Sequence, residues 1–462
     1  MHLAEIKFSE LEDRIDAGFF VLRKELLNFK QSKVKIFELR DLVKSIFRGK
    51  SPGREGYLNK GVLVLKSVNI GNHFLEKTRF SYTKEDFYQK NKKFNPKDEE
   101  IILTSTGEGT IGRAIMFLPQ IYGIDKCLVT EKVTILRNID GQKISPYYLL
   151  AFLWSKYGKP QLEMYNRGST GRTELYPKDI AKVVIILPEW NIQKEIEELV
   201  KQAHQKKKLA DEKYEEAGRL LLKELGLYDL VITEQKFFEV GFSETEERID
   251  ADYYKPEYKT IADLLQQNEK RGLFKLQKLN NVCILKKGIE VGSEAYTKEG
   301  ILFLRVSNIS ETGLTEGESS EYITPYLYEQ LKGEYGVKEN DILYTKDATI
   351  GVALVADKAF PSAIPSMGIV RLQSKGINPY YLALVLNSIA CRSQSDREVI
   401  GAVIKHYNFT KLKNLLVPIV PKQKQENISK LVKQFFFLRK EAKQLLEEAK
   451  RKVEEMVEGG WT

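Results

Sequence analysis

The chain has 462 residues, 42% of them hydrophobic, and a formal net charge of +9: room for two or three domains with real cores, and no composition for disorder. The cationic excess favours a polyanionic partner without naming one. Cys127, Cys283 and Cys391 are too far apart, and odd in number, for a disulfide framework or a CxxC metal pair, so reduced, partly buried packing is expected of them.

The start, MHLAEIKFSELEDR, carries acidic residues where a secretory signal would be basic and then apolar. No window approaches roughly 18 apolar residues, so the expectation is a cytoplasmic protein with no membrane contact. The segment FSELEDRIDAGFF, Phe8 to Phe20, returns as FSETEERIDADYY, Phe242 to Tyr254. LKSVNI from Leu65 matches LRVSNI from Leu304, TIGRA from Thr110 matches TIGVA from Thr349, and SPYYLLAFLWS from Ser145 matches NPYYLALVLNS from Asn378. Four matches in one order identify a tandem duplication with a period of about 233 residues.

Each copy reads alike. Short strand-like runs, VLVLK and IILTST in the first and ILFLR and DILYT in the second, alternate with Gly- and Lys-rich turns. A helix follows at SPYY or NPYY, with Ser or Asn as N-cap and Pro in the first turn. A basic loop and an apolar run close the copy, near Val183 in one and Leu415 in the other.

A long helix then follows each copy. In the first, apolar residues recur from Ile192 through Ile196, Leu199, Val200 and Ala203 to Leu221 and Leu225, with Asn191 as candidate N-cap and Gly226 as C′ residue. At roughly 1.5 Å per residue this is a rod of about 51 Å, whose apolar stripe needs a cover. The second runs from about Gln423 to Glu458, with Ile428, Leu431, Phe435, Leu438, Ala442, Leu445 and Ala449 in heptad steps and Gly459 and Gly460 at its end. Two matched rods can bury their stripes against each other, running antiparallel; the alternative packs each on its own domain. The expected architecture is an α+β fold: two duplicated globular domains, 1–188 and 227–421, joined by two long helices, 189–226 and 422–459, that form an antiparallel coiled coil.

Several motifs invite a catalytic reading. GEGTIG, Gly107 to Gly112, matches GxGxxG, but the following RAIMFLP is short, apolar and ended by Pro119, and the second copy has KDATIG, so a tight turn between strands is expected. NPYY at Asn378 resembles the NPPY signature of amino-methyltransferases, yet its paired copy is SPYY and helix capping accounts for both. PKDEE at Pro96 has no ExK partner and reads as a charged turn. His2, His73, His204 and His406 lack the companions of a triad or a zinc site, so no catalytic residue, metal or cofactor is assigned.

Basic turns carry more information. FRGKSPGR, Phe47 to Arg54, combines Arg48, Lys50 and Arg54 with glycines that let a backbone approach phosphate, and LKKGIEVGS places Lys286 and Lys287 at the same point of the second copy. NRGSTGRT offers Arg167, Ser169, Thr170 and Arg172, against GAVIKHYNF with Lys405 and His406. Lys66 and Asn69, with Arg305 and Asn308 in the paired NI segment, complete the candidate DNA-binding set. Such mixtures supply phosphate donors and base-edge readers, and the alternative is solvated loops.

Taken with RGSTGRTEL at Arg167, the LPxxxxQxxI pattern at Leu187 to Ile196 and PKQKQENI retaining Gln425 and Ile428, the chain resembles the specificity subunit of a Type I restriction-modification system over nearly its whole length. The second copy departs at the basic loop, where GAVIKHY replaces GSTGRTE. The resemblance implies two target recognition domains that each read half of a bipartite double-stranded DNA sequence, with paired helices setting the spacer. It also implies partners: two methyltransferase (modification) subunits carrying S-adenosylmethionine, and restriction subunits that cleave using ATP. The chain itself would be a non-catalytic reader of an asymmetric target. The competing readings are a self-contained DNA methyltransferase using GEGTIG and NPYY, and an autonomous two-headed DNA-binding protein.

Overall fold

A computed structural model describes residues 35–77, 80–107, 109–165, 173–232, 235, 237–241, 245, 248–315, 320–401 and 405–459. The chain forms two compact units, 1–208 with 438–462 and 209–437, so each long helix contributes one part to each unit.

In the first unit, β1 (Lys35–Glu38) and β2 (Val43–Arg48) precede β3 (Val62–Leu65), β4 (Ser81–Thr83), β5 (Glu100–Thr104), β6 (Ala114–Phe117), β7 (Cys127–Val129), β8 (Val133–Ile139) and β9 (Val184–Leu187). An antiparallel sheet has the order β2-β8-β5-β6; a second, β4-β3-β7, pairs β3 with β7 in parallel; and β1 pairs with β9. The runs VLVLK and IILTST are thus strands, and β3 and β5 are buried on both faces, which explains their unbroken apolar character. Helix α1 (Pro146–Trp154) is apolar all round and buried accordingly. Ser145 caps it through its side chain, with Pro146 in the first turn, and Trp154 Nε1 donates to Ala114 O at 2.8 Å.

The long helix α2 spans Trp190–Glu224. It begins one residue before Asn191, so the expected N-cap lies inside the first turn. Gln193 ties that end down. Its Nε2 donates to Pro188 O at 3.1 Å, and its Oε1 accepts from Ser145 N at 2.9 Å. At the other end Gly226 has φ +64°. Leu227 N reaches Leu222 O at 2.8 Å and Gly226 N reaches Lys223 O at 3.0 Å, a Schellman closure.

The second unit repeats the plan. Strands β10 (Lys275–Lys278), β11 (Cys283–Lys287), β12 (Ile301–Leu304), β13 (Ile309–Ser310), β14 (Gly313–Leu314), β15 (Glu321–Ile323), β16 (Ile342–Thr345), β17 (Ala353–Val355), β18 (Ala363–Pro365), β19 (Ile369–Ser374) and β20 (Leu416–Ile419) follow in order. Sheets β11-β19-β16-β17 and β15-β12-β18 and the pair β10-β20 reproduce the first unit's topology, and a small β13-β14 ladder is added. Asn378 caps α3 (Pro379–Asn387) by accepting from Tyr380 N at 3.1 Å, so capping accounts for NPYY. The second long helix, α4, spans Lys422–Val457. Gln425 repeats the tether of Gln193, donating to Val420 O at 2.8 Å.

Within the first unit, Ile196, Val200 and Ala203 of α2 share a core with Ala442, Leu446, Ala449 and Val453 of α4. Lys452 pairs with Glu195 at 2.8 Å and Lys206 with Glu441 at 2.9 Å, so early α2 meets late α4 and the two segments run in opposite directions. Within the second unit, Ala217, Leu221 and Leu225 share a core with Ile428 and Val432, Tyr214 stacks on Phe435 with centroids 4.7 Å apart, and Glu224 pairs with Lys424. The buried positions revise the expected heptad. Ile428, Phe435, Ala442 and Ala449 are buried as expected, but their companions are Val432, Leu446 and Val453. Leu431 and Leu445, one residue before Val432 and Leu446, are only half-buried, as is Leu438.

All three cysteines are free and buried. His204 is buried with neither ring nitrogen hydrogen-bonded. It meets the Phe74 ring edge-on at 5.1 Å, and burial pulls its pKa down to about 3. The half-buried His73 packs edge-on against Trp154 at 4.9 Å, and desolvation lowers it to about 4. Among the described residues no helix is long and apolar enough to cross a membrane.

Candidate nucleic-acid interface

The basic turn after β2 is fixed by backbone contact. Gly49 N donates to Val133 O at 3.0 Å and Lys50 N to Val129 O at 2.9 Å, and a Cβ on Gly49 would lie 2.0 Å from Val129 O. Only glycine fits there. Just before it, Arg48 donates through Nη1 to Glu174 at 3.1 Å and through Nη2 to Leu175 O at 2.9 Å, with its guanidinium 4.7 Å from the centre of the Tyr176 ring. The Arg48 hydrogen bond, with one from Tyr176, holds the Glu174 carboxyl below its usual range. Leu175 N in turn bonds Ser105 O at 2.9 Å, in the turn that joins β5 to β6.

Fold topology therefore brings FRGKSPGR, the TIG turn and the segment after RGSTGR onto one end of the unit. Lys50 and Arg54 stand exposed there, with no ion-pair partner among the described residues. A polar chain lies beside them: Lys66 Nζ sits 4.4 Å from the Tyr57 ring centre, Tyr57 Oη donates to Ser51 Oγ at 3.4 Å, and Ser51 donates to Glu131.

The second unit builds the same frame from different side chains. Gly288 N donates to Ile369 O and Ile289 N to Pro365 O, each at 3.0 Å, and a Cβ on Gly288 would lie 2.1 Å from Ser366 O. Lys287, at the place of Arg48, rests over the Phe409 ring at 4.7 Å. Where Glu174 stands in the first unit, His406 Nδ1 meets Asp347 Oδ1 at 2.8 Å, and the other Asp347 oxygen takes Lys346 Nζ at 2.7 Å. Lys405 is exposed, and Arg305 pairs loosely with Glu321 at 3.4 Å.

A family model described as Type I restriction modification DNA specificity domain matches residues 31–217 and 257–451. The chain belongs to that family. Among solved structures it is similar to the Type I restriction-modification S subunit from M. genitalium, with 13% identity, TM-score 0.37 and coverage of 92% of this chain and 96% of that one. It is also similar to the HsdS subunit from Thermoanaerobacter tengcongensis, with 12% identity, TM-score 0.28 and coverage of 91% and 96%. The type IIG restriction endonuclease BpuSI matches at 9% identity and TM-score 0.29, over 77% of this chain and 43% of that one. A comparison with curated proteins finds no match. The family match gives the function: this is a DNA specificity chain of a Type I restriction-modification system.

For such a specificity chain the expected contact residues divide by how the fold places them. Lys50, Arg54, Lys287, Arg305, Lys405 and His406 are exposed, and Lys66 and Lys286 are half-buried. Arg48 is committed to Glu174 and Leu175, so it braces the turn more than it offers a free donor. Asn69 and Asn308 are placed differently. Both are buried; their Oδ1 atoms accept from Lys66 N at 3.0 Å and Arg305 N at 2.8 Å, and their Nδ2 atoms donate to Glu76 O at 3.3 Å and Thr315 O at 3.2 Å. The shared NI signal marks an asparagine whose side chain closes a turn. Arg167, Ser169, Thr170 and Arg172 lie outside the described residues, as does Phe8 to Phe20.

GEGTIG joins the antiparallel neighbours β5 and β6, with Gly107 at φ +116° and Gly112 at φ +78°, so it is the expected turn, and a strand follows where a pyrophosphate-binding helix would begin. PKDEE is a turn whose last residue, Glu100, opens β5 and holds Arg137 at 2.5 Å. Among the described residues no His, Cys, Asp or Glu group is placed to hold a metal ion. Sequence reasoning missed Glu174, Tyr176, Tyr57, Glu131, Asp347 and Phe409. Glu174, Asp347 and Phe409 stand within the strings RGSTGRTEL, KDATIG and GAVIKHYNF without a spacing that singles them out, whereas Tyr57, Glu131 and Tyr176 belong to no motif.

Proposed function

We propose that each unit reads one half of an asymmetric, bipartite double-stranded DNA target, that the paired long helices set the distance between half-sites, and that methyl transfer and cleavage belong to separate modification and restriction subunits. The observation that carries this is an unchanged frame with exchanged side chains. Lys50 corresponds to Ile289, Glu131 to Met367 and Glu174 to His406, while the glycine contact and the asparagine-closed turn repeat. Rigid placement with variable chemistry suits two readers of different sequences. Exposed lysines and arginines supply salt-dependent attraction to phosphates, and polar groups on the same turns discriminate bases by about 1–3 kcal/mol per good bidentate contact. The domain division 1–188, 189–226, 227–421 and 422–459 is proposed as readers and spacers in alternation. Methylome mapping of a strain with and without this gene tests the reading: an adenine-methylated, two-part asymmetric motif should vanish with the gene, and an unchanged methylome would refute it.

A further inference from the structure

The turn between β18 and β19 sits against both recognition elements of the second unit. Ile289 N bonds Pro365 O, Lys346 N bonds Gly368 O at 2.9 Å, and Ser366 N bonds Leu304 O at 2.8 Å. The turn is thereby held between the Lys287 turn and the Asp347–His406 pair. The same three backbone bonds recur in the first unit as Lys50 to Val129, Ser105 to Lys132 and Thr130 to Leu65. They place Met367 where the first unit has Glu131, whose side chain faces its basic turn through Ser51.

Met367 is 52% exposed, and Ile400, joined by two backbone hydrogen bonds to His406, is 51% exposed. Two large exposed apolar side chains therefore stand on segments whose backbone is bonded to the Lys287 turn and to the Asp347–His406 pair, and Lys287 and Lys405 are exposed on these same elements. Exposed lysines favour the DNA backbone, and an exposed apolar side chain on the adjoining turn has one matching group on a base edge in the major groove: the C5-methyl of thymine. We infer that Met367 determines specificity in the second unit by packing on a thymine methyl, whereas Glu131 gives the first unit an acceptor at the equivalent point. The inference rests on the DNA-reading function proposed above.

The test uses the full chain assembled with its modification subunits and a duplex carrying its mapped target. Thymines of each half-site are replaced one at a time by deoxyuridine, which lacks only the methyl group. One replacement in a single half-site should weaken binding about 3- to 5-fold, the worth of one methyl removed from water. Met367→Ala should bind the thymine and uracil duplexes equally, and Met367→Glu should lose the thymine preference there. Neither change should alter discrimination in the other half-site. The inference is overturned if wild type binds every uracil duplex as it binds the parent, if neither half-site contains thymine, or if Met367→Ala keeps the discrimination. Absence of any sequence preference in the wild-type complex would instead overturn the DNA-reading function itself.

Discussion

The Arg48 guanidinium lies 4.7 Å from the centre of the Tyr176 ring while donating to Glu174 at 3.1 Å, which joins two loops separated by more than a hundred residues. Arg48→Ala should therefore lower both stability and DNA affinity. The ion pair is partly exposed and contributes modestly on its own; loss of the stacking and of the bond to Leu175 O brings the expected cost to about 1–2 kcal/mol. Lys50→Ala and Arg54→Ala should leave stability unchanged and each reduce the slope of log K against log salt by about one. Urea melts beside salt-dependent binding separate the two behaviours, and equal effects for Arg48 and Lys50 would count against the bracing role.

Gln193 serves two backbone groups at a helix junction. Gln193→Ala leaves Ser145 N and Pro188 O without that partner, at about 1–3 kcal/mol for a buried polar group left unpaired. Hydrogen exchange at the Ser145 amide should accelerate accordingly; unchanged protection would mean that water replaces the side chain.

His204 gives an acid-sensitive element. Its pKa in the folded chain, about 3, lies below the ordinary value of 6.5, so the unfolded chain binds the proton first. Stability from this site is complete above pH 6.5 and declines as pH falls toward the folded value, by on the order of 1–2 kcal/mol at pH 5. His73, lowered to about 4, adds a limb of the same sign. Gln193 and Gln425 align the two helices and place Phe436 at the equivalent of His204. His204→Phe should thus keep the packing and flatten the decline between pH 7 and pH 5 in denaturant titrations.

Removing seven residues from each of α2 and α4 shortens both rods by about 10 Å, the length of about three base-pair steps. A binding selection should return a spacer shorter by that amount, or no binding. An unchanged spacer would reject the idea that the helices measure distance.

Duplication, strand runs and helix ends were legible because each has a local cause: a repeated string, an apolar run, a Ser- or Asn-Pro start, a glycine stop. The seam on α4 was less so. Its leucines form one apolar column and Ile428, Phe435 and Ala449 another, and which neighbouring column is covered depends on what packs there, so Val432 and Leu446 displaced Leu431 and Leu445. The candidate interface was legible as basic turns and opaque as a geometry. Glu174 and Asp347 become partners of Arg48 and His406 only through strand pairing distant in sequence. Asn69 looked like a reader because polar residues in repeated motifs serve turns as readily as ligands.

The close approach at Gly49 and Gly288 leaves no space for a side chain beside Val129 O and Ser366 O. Tolerance to mutation should accordingly change abruptly within three residues: position 49 admits almost nothing, while positions 50 and 51 can take new chemistry with the backbone still anchored. Under the proposed reading, such a chain would acquire a new DNA target through single substitutions in an otherwise unaltered mould.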